Sequence, residues 1–98
     1  MVKVKVKTLG ILYSMTKKLE HEVEVPEGST VLDVVKVIAE MFPDVGREVL
    51  SGEGISEDHR VLLNGREISY LPEREKTTVK NGDEIAIIPP VGGGYCTI

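Results

Sequence analysis

The sequence predicts an α+β fold, a mixed sheet of four or five strands with one main helix packed on one face. The length indicates a single domain, since 98 residues can bury one thin core. The composition favours strands, because aromatic residues make up only 4% of the chain and the core must be aliphatic and β-branched. The periodicity gives the order of elements, with alternating segments on both sides of one helical segment.

The N-terminal segment predicts an antiparallel pair of strands. Valine and lysine alternate over residues 2–7, and apolar or histidine positions alternate with glutamates over residues 19–25. We expect Leu19 to lie on the inner face with the valines, and the lysines to lie opposite the glutamates on the outer face. Residues 8–18 are expected to turn the chain between the strands. His21 falls in the inward register, which favours a packed side chain over a metal ligand.

A turn at residues 26–29 ends the second strand, and the main helix follows. Thr30 is the expected N-cap, with Asp33 as its capping-box partner. Apolar residues then recur on one helical stripe: Val31, Val34, Val35, Ile38 and Phe42. Pro43 ends this helix, and residues 44–50 are expected to form a second, short one.

The C-terminal half predicts three more strands. Residues 60–63 indicate a strand, residues 64–65 (Asn-Gly) a hairpin turn, and residues 66–68 a brief returning strand. The polar residues 53–59 are expected to form a surface loop. The continuous apolar run within residues 84–88 is typical of a central strand buried on both faces, and we expect it to run parallel to the first strand.

The segment around the last predicted strand carries a family resemblance. Residues 80–94 spell KNGDEIAIIPPVGGG, in which a Gly-Asp turn leads into a strand and then into Pro-Pro-Val. With Gly92 as a variable position and Gly93-Gly94 as a diglycine, this ending resembles that of the molybdopterin synthase small subunit and of thiamine-type sulfur carriers. Weaker matches to the same family lie at the helix start and at the hairpin.

The resemblance covers residues 2–94 and implies the β-grasp, or ubiquitin-like, fold. Residues 1–91 would form the β-grasp domain, and residues 92–98 a flexible C-terminal tail. Residues 89–91 (Pro-Pro-Val) are expected to end the last strand and aim the tail away from the sheet, because proline cannot donate to a strand ladder.

The same resemblance implies a sulfur carrier rather than an enzyme. In that family an E1-like enzyme adenylates the C-terminal glycine with ATP, and sulfur then replaces AMP to give a thiocarboxylate. Here Gly94 would carry the sulfur, and Gly93 would give it access to the partner's site, since residues without Cβ atoms can thread a narrow channel. The acceptor would be a molybdopterin synthase large subunit or another sulfur acceptor, in molybdopterin or tungstopterin biosynthesis.

The end of the sequence departs from the family pattern. Members that act directly end at the diglycine, whereas residues 95–98 (Tyr-Cys-Thr-Ile) follow Gly94 here. Gly94 is then an amide carbonyl with no carboxylate to adenylate. We therefore expect a peptidase, such as a zinc-dependent JAMM-type enzyme, to remove these residues before activation.

Composition excludes several other classes. A formal net charge of -4 leaves no positive field for a nucleic acid. No apolar run is long enough to span a membrane, and a single cysteine cannot form an internal disulfide, so the default location is the cytoplasm. The histidines and the cysteine lack the spacing of a metal site, and no phosphate-binding motif is present, so we expect neither a metal nor a cofactor.

Two other functions stay open at this point. A ubiquitin-like modifier would use the same activated Gly94 to form an isopeptide bond with a substrate lysine. A non-covalent β-grasp interaction module would keep its tail uncut. The sequence by itself does not separate these two functions from that of a sulfur carrier.

Overall fold

A computed structural model of the chain describes residues 1–51, 54–56 and 59–89. The strands within these residues are β1 (Val2–Thr8), β2 (Glu20–Val25), β3 (Leu50–Ser51), β4 (Gly54–Ile55), β5 (Arg60–Leu63), β6 (Arg66–Glu67) and β7 (Glu84–Ile88). The helices are α1 (Ile11–Thr16), α2 (Val31–Met41) and α3 (Pro43–Val49), followed by 3-10 turns at Ile68–Tyr70 and Arg74–Lys76. Residues 90–98, and with them the predicted tail, lie outside the described residues.

Five strands form one mixed sheet in the order β2-β1-β7-β5-β6. β1 pairs antiparallel with β2 and parallel with β7, so that Val6 lies beside Ile85. β7 pairs antiparallel with β5, and β6 returns from β5 through the turn at residues 64–65. The expected five-stranded sheet, its central last strand and the parallel pairing are confirmed.

The β1–β2 hairpin has the expected register. Lys3 lies opposite Glu24, Lys5 opposite Glu22 and Lys7 opposite Glu20, all on the outer face. The placement of Leu19 on the inner face was wrong, because its side chain is 45% exposed. Leu19 precedes β2, and α1 supplies the buried leucine, Leu12, in its place.

The segment expected to be a plain turn, residues 8–18, contains helix α1. It begins after Gly10 without a side-chain cap and ends at Lys17, which adopts a left-handed conformation with φ 60°. Six residues are too few for a helical period to be recognised in the sequence, so the helix escaped prediction. Its effect is to cover the C-terminal end of β1 with a packed element instead of a loop.

The main helix α2 has the predicted cap. The Thr30 hydroxyl accepts a hydrogen bond from the Asp33 N–H at 3.3 Å, and the Asp33 carboxylate accepts one from the Thr30 N–H at 3.0 Å. A cap of this kind contributes about 1 kcal/mol. Pro43 does more than end α2, because it is also the first residue of α3, a position where proline is favoured.

The core lies between one face of the sheet and the helices. It is entirely aliphatic on the sheet side, apart from buried Thr8 and His21. Its sheet residues are Val2, Val4, Val6, Val23, Val25, Val61, Ile85 and Ile87, and its helical residues are Leu12, Val31, Val34, Val35, Ile38, Val45 and Val49. The predicted stripe of α2 is therefore the face that packs on the sheet, with Phe42 half-buried at its end.

The strand β7 is not buried on both faces, as its apolar run suggested. Ile85 and Ile87 are fully buried, whereas Ala86 and Ile88 on the outer face are half-buried. The described helices pack on the inner face alone, so nothing described covers the outer one. Two smaller expectations also changed: Ile68 belongs to a 3-10 turn, and the expected loop at residues 53–59 contains β4, which pairs with β3.

We expect Ile87→Ala to lower the free energy of unfolding by about 2–5 kcal/mol, because Ile87 is 0% exposed and the substitution leaves a cavity in the core. Ile88→Ala is the matched control, since it removes the same atoms from the half-buried outer face and should cost clearly less. Urea unfolding of both variants measures the difference. A loss below about 0.5 kcal/mol for Ile87→Ala would contradict the core described here.

Candidate functional site

The structure follows the chain to Pro89, shortly before the predicted tail at residues 92–98. Gly93 and Gly94 lie outside the described residues, so the site is described here by its base. Ile88 pairs with Arg60 of β5 on one side, and the Leu9 N–H donates to the Ile87 carbonyl at 3.2 Å on the other. The chain therefore leaves the centre of the sheet while its backbone is still held from both sides.

Gly10 fits closely against Pro89. A Cβ atom added at Gly10 would lie 2.9 Å from the Pro89 Cγ and 3.4 Å from its Cδ, and the first distance is shorter than real Cβ contacts. Gly10 also has φ 60° and ψ -133°, a conformation that residues with side chains rarely adopt. Both features require glycine here, and together they fix where the proline ring sits.

An open apolar depression of about 390 Å³ adjoins this contact. We call it the tail-base patch, and it is lined by Leu9, Gly10, Tyr13 and Leu19. Tyr13 and Leu19 are 48% and 45% exposed, which is unusual for large side chains on neighbouring elements. An apolar surface at the start of the tail is suited to contact a partner protein.

The outer face of the sheet divides into two halves. Over β2 and β1 it is charged, with glutamates beside lysines. Over β7 and β5 it carries an apolar strip of half-buried side chains, Leu62, Ala86 and Ile88, with the charged Glu84 and Arg60 on the same face. Because Leu9 follows Thr8 along the pairing with β7, the apolar strip continues into the tail-base patch.

His21 is a core residue, as its register predicted. Its ring is 5% exposed, packs edge-to-face on Phe42 with centroids 5.1 Å apart, and lies with Nε2 3.2 Å from the Thr8 hydroxyl. Burial lowers the pKa of His21 below its ordinary value of 6.5, and the nearby Lys18 charge lowers it further, while a backbone hydrogen bond at Lys18 opposes them. The folded protein thus favours the neutral ring.

Other candidate sites are sparse in the described part of the chain. No group of three or more histidine, cysteine, aspartate or glutamate side chains there could hold a metal ion, and Cys96 lies outside it. A polar cavity of about 250 Å³ lies beside β5 and β6, and none of its lining residues belongs to the tail-base patch.

None of the helices described here is both long and apolar enough to cross a membrane.

Comparison with known proteins decides the family. The sequence model of the ThiS family matches residues 6–94, which is most of the chain. The chain belongs to the ThiS family. This confirms the resemblance that residues 80–94 carried, and the matched region ends at Gly94, the second residue of the expected diglycine.

Relatives of this ThiS-family protein include both carriers and modifiers. Small archaeal modifier protein 3 of Haloferax volcanii is 37% identical over 71 residues, which cover 71% of this chain and 75% of that protein. The molybdopterin synthase sulfur carrier subunit of Caenorhabditis briggsae is 27% identical over 94 residues, which cover 96% of this chain and 100% of that protein. The chain thus belongs among the sulfur carriers and ubiquitin-like modifiers.

A solved structure supports the same assignment of the fold. The solution structure of small archaeal modifier protein 1 from Methanosarcina acetivorans matches with a TM-score of 0.82 at 30% identity, covering 96% of this chain and 98% of that one. The expected β-grasp, ubiquitin-like fold of this ThiS-family protein is confirmed.

Sequence reasoning missed the base of the site. It singled out Gly93 and Gly94, which are recognisable as a motif, but treated Gly10 only as part of a segment that turns the chain. The contact of Gly10 with Pro89 joins residues far apart in the chain, and only the parallel pairing of β1 with β7 brings them together. A sequence signal existed in Leu9 and Tyr13, apolar residues in a segment expected to be a turn.

We expect Gly10→Ala to destabilise the protein and to displace Pro89. The cost should be about 1–3 kcal/mol from backbone strain alone, with a further loss from the contact with the ring. Gly28→Ala is the matched control, since Gly28 also has positive φ, 91°, but nothing lies within 4 Å of its added Cβ. Chemical unfolding and the NMR shifts of Pro89 report the two effects. Equal losses in both variants, with Pro89 unmoved, would contradict the fit described here.

We expect acid to destabilise the fold through His21. Its pKa is lowered in the folded state, so the unfolded chain takes up a proton first, and stability that is present above the ordinary value of 6.5 is lost as the pH falls through the folded pKa. The free energy of unfolding, measured between about pH 8 and pH 5, should fall less steeply in His21→Gln than in the wild type. An unchanged slope in His21→Gln would refute the assignment.

Proposed function

We propose that this protein is a sulfur carrier that acts through Gly94. An E1-like enzyme adenylates the Gly94 carboxylate, and the adenylate is converted to a thiocarboxylate that serves molybdopterin or tungstopterin biosynthesis. Residues 95–98 are removed first. The protein is the substrate of its partners and supplies no catalytic group of its own. Since the activating step consumes ATP, the proposal places the protein in the cytoplasm.

The family match is the single observation that carries this proposal. It covers residues 6–94 and leaves out residues 95–98. The carrier subunit from Caenorhabditis briggsae, whose name assigns it to molybdopterin synthase, aligns over 100% of its length with this chain. Both comparisons support a carrier function for a chain trimmed to Gly94.

The chemistry proceeds in two balanced steps. A carboxylate oxygen of Gly94, ionised at neutral pH, attacks the α-phosphate of ATP, and pyrophosphate leaves. The resulting acyl phosphate is then attacked at its carbonyl carbon by hydrosulfide, so that a C–S bond forms as AMP leaves with the electron pair of the C–O bond. The sulfur loses its proton to water, and Gly94 ends in a thiocarboxylate.

The surface around the tail base supports docking of partners there. The E1-like enzyme and the sulfur acceptor, a molybdopterin synthase large subunit or another enzyme, would both have to hold the tail in an active site. The apolar strip of the outer face and the tail-base patch adjoin Pro89, with Glu84 and Arg60 beside them, and a central apolar area with a charged rim is typical of protein interfaces. In this proposal the apolar surface contacts the partner protein, and Gly93 and Gly94 enter the partner's active site.

Removal of residues 95–98 is a necessary step of the proposal. With Tyr95 in place, Gly94 is part of an amide and has no free carboxylate to attack ATP. A JAMM-type zinc peptidase that hydrolyses the Gly94–Tyr95 bond, with water as the second substrate, would release the four-residue peptide and create the carboxylate. The glycines on its N-terminal side would give such a peptidase an extended, unhindered backbone.

A second candidate function is favoured by the other relative. Small archaeal modifier protein 3, at 37% identity, is named as a modifier. In that function the same Gly94 adenylate would lead to an isopeptide bond with a lysine of a target protein. The two functions share the activation step, and one chain can perform both.

We expect pyrophosphate release only from a chain that ends at Gly94. Three proteins are compared with ATP and the E1-like enzyme of the same organism: the full-length chain, a chain ending at Gly94, and that shorter chain with Gly94→Ala. The full-length chain should be inert, the second should react, and the third should be slower by about tenfold or more because a Cβ misplaces the carboxylate in the channel.

Two outcomes would contradict the proposal in different ways. Equal reaction of the full-length chain without any peptidase would refute the role given to residues 95–98. Absence of reaction by the shorter chain with every E1-like enzyme of the organism would leave a non-covalent interaction module. The intact mass of the protein from its own cells then separates the carrier, in which sulfur replaces oxygen at Gly94, from the modifier, which appears as lysine-linked adducts.

A further inference from the structure

β2 forms one edge of the five-stranded sheet. β1 pairs with it on one side, and no strand of the described part of the chain pairs with it on the other. An edge of this kind presents unpaired backbone N–H and carbonyl groups, which can bind another extended chain. β2 is six residues long, enough for a continuous ladder.

The register shows which backbone groups of β2 point outward. The Thr8 N–H donates to the Leu19 carbonyl at 2.9 Å, so these two residues form a hydrogen-bonded pair. Hydrogen-bonded and non-hydrogen-bonded pairs alternate in an antiparallel ladder, and the residues of β2 that face β1 are therefore His21, Val23 and Val25. The three between them direct their N–H and carbonyl groups to the free edge: Glu20, Glu22 and Glu24.

The same three residues carry the charge of this edge. Their side chains are exposed on the outer face, each opposite a lysine of β1. None of them has an ion pair within 4.0 Å among the described residues, and Lys7 pairs instead with Glu84 of β7 at 3.3 Å. On the outer face the charge thus alternates from strand to strand: acidic on β2, basic on β1 and acidic at Glu84 of β7. A further strand added beyond β2 would continue this alternation if its outer side chains were basic.

A second copy of β2 is a poor occupant of this edge. Antiparallel pairing of two β2 strands about Glu22 would place glutamate opposite glutamate at three positions, and like charges directly opposite are unfavourable. The glutamates therefore oppose self-association through the edge, while they leave its hydrogen-bonding groups available to a chain of opposite charge.

We propose that the β2 edge binds an extended basic segment of a partner protein by strand addition. The segment would run antiparallel to β2, with lysine or arginine at every second residue facing Glu20, Glu22 and Glu24. The residues between would be β-branched, since they continue the aliphatic inner face beside Val23 and Val25. β1 already has such a sequence: Val2–Thr8 alternates valine with lysine and pairs antiparallel with the other side of β2.

This interaction does not require the tail. β1 separates β2 from β7, from which the chain leaves the sheet at Pro89, so a strand added at the edge would lie away from Pro89 and would reach the tail-base patch only at Leu19, next to Glu20. The edge would thus let the protein hold a basic partner whether or not Gly94 is activated, and its test needs no E1-like enzyme.

The test uses the full chain and a blocked synthetic peptide with the sequence of β1, VKVKVKT. Binding is followed by NMR, together with the hydrogen exchange of single amides. We expect the peptide to bind and to slow exchange at Glu20, Glu22 and Glu24 at least about tenfold, without a comparable change at His21 and Val23, whose amides already face β1. A peptide with glutamates in place of all lysines should bind at least about tenfold more weakly.

Charge-reversal variants test the pairing. Glu22→Lys should weaken binding of the basic peptide about tenfold, and a peptide whose central lysine is replaced by glutamate should restore it. Glu48→Lys is the matched control, since it makes the same charge change at an exposed position of α3 and should bind like the wild type. The NMR chemical shifts of the backbone amides, which are measured in every variant, also show whether that variant is folded.

Three results would overturn the proposal. The first is no binding of the basic peptide at millimolar concentration by a folded protein. The second is equal binding of the acidic peptide, or binding without protection at Glu20, Glu22 and Glu24. The third is protection of these amides in the protein alone with dimerisation in sedimentation experiments, which would make a second copy the occupant of the edge.

Discussion

The parallel pairing of β1 with β7 is the contact on which the rest of the structure depends. It joins the first and the last described strands, places Val6 beside Ile85 in the middle of the core, and gives both hairpin strands and the β5–β6 pair a common support. Its loop-closure cost is offset by aliphatic burial on the inner face, where α2 is fixed by its capping box and lies across the sheet. Without this pairing neither Gly10 nor the tail-base patch would lie near Pro89.

The two faces of the sheet have different tasks. The inner face is a column of valines and isoleucines that only has to pack. The outer face is charged over β2 and β1 and carries the apolar strip over β7 and β5, and the apolar strip leads to Pro89. The proposed carrier, which an activating enzyme and then an acceptor would have to recognise, needs such an outer surface, because its proposed reactive end, Gly93-Gly94, has no side chains to recognise.

Much of this fold could be predicted from local signals. The alternation in β1 and β2, the capping box at Thr30 and the hairpin turn at residues 64–65 are each encoded by neighbouring residues, and the structure has all of them. What could not be predicted depends on contacts between distant residues. Leu19 falls in the inward register of the alternating pattern, yet Leu12 is the leucine that is buried in the core. The outer face of β7 is only half-buried, because every described helix packs on the inner face. At the candidate site the motif named the glycines, whereas the residue that seats the proline, Gly10, became visible only in three dimensions.

The position of β7 has a consequence for how the protein is made. The ribosome completes this strand after all the others of the described sheet, and yet it lies at the centre, between β1 and β5. The hairpin emerges early but cannot join β5 into one sheet until the last strand has been synthesised. The complete sheet therefore cannot form before β7 has been synthesised, and Pro89 takes its place beside Gly10 only when β7 has joined β1. A chain that fails to complete the sheet would therefore also fail to hold the base of the proposed tail.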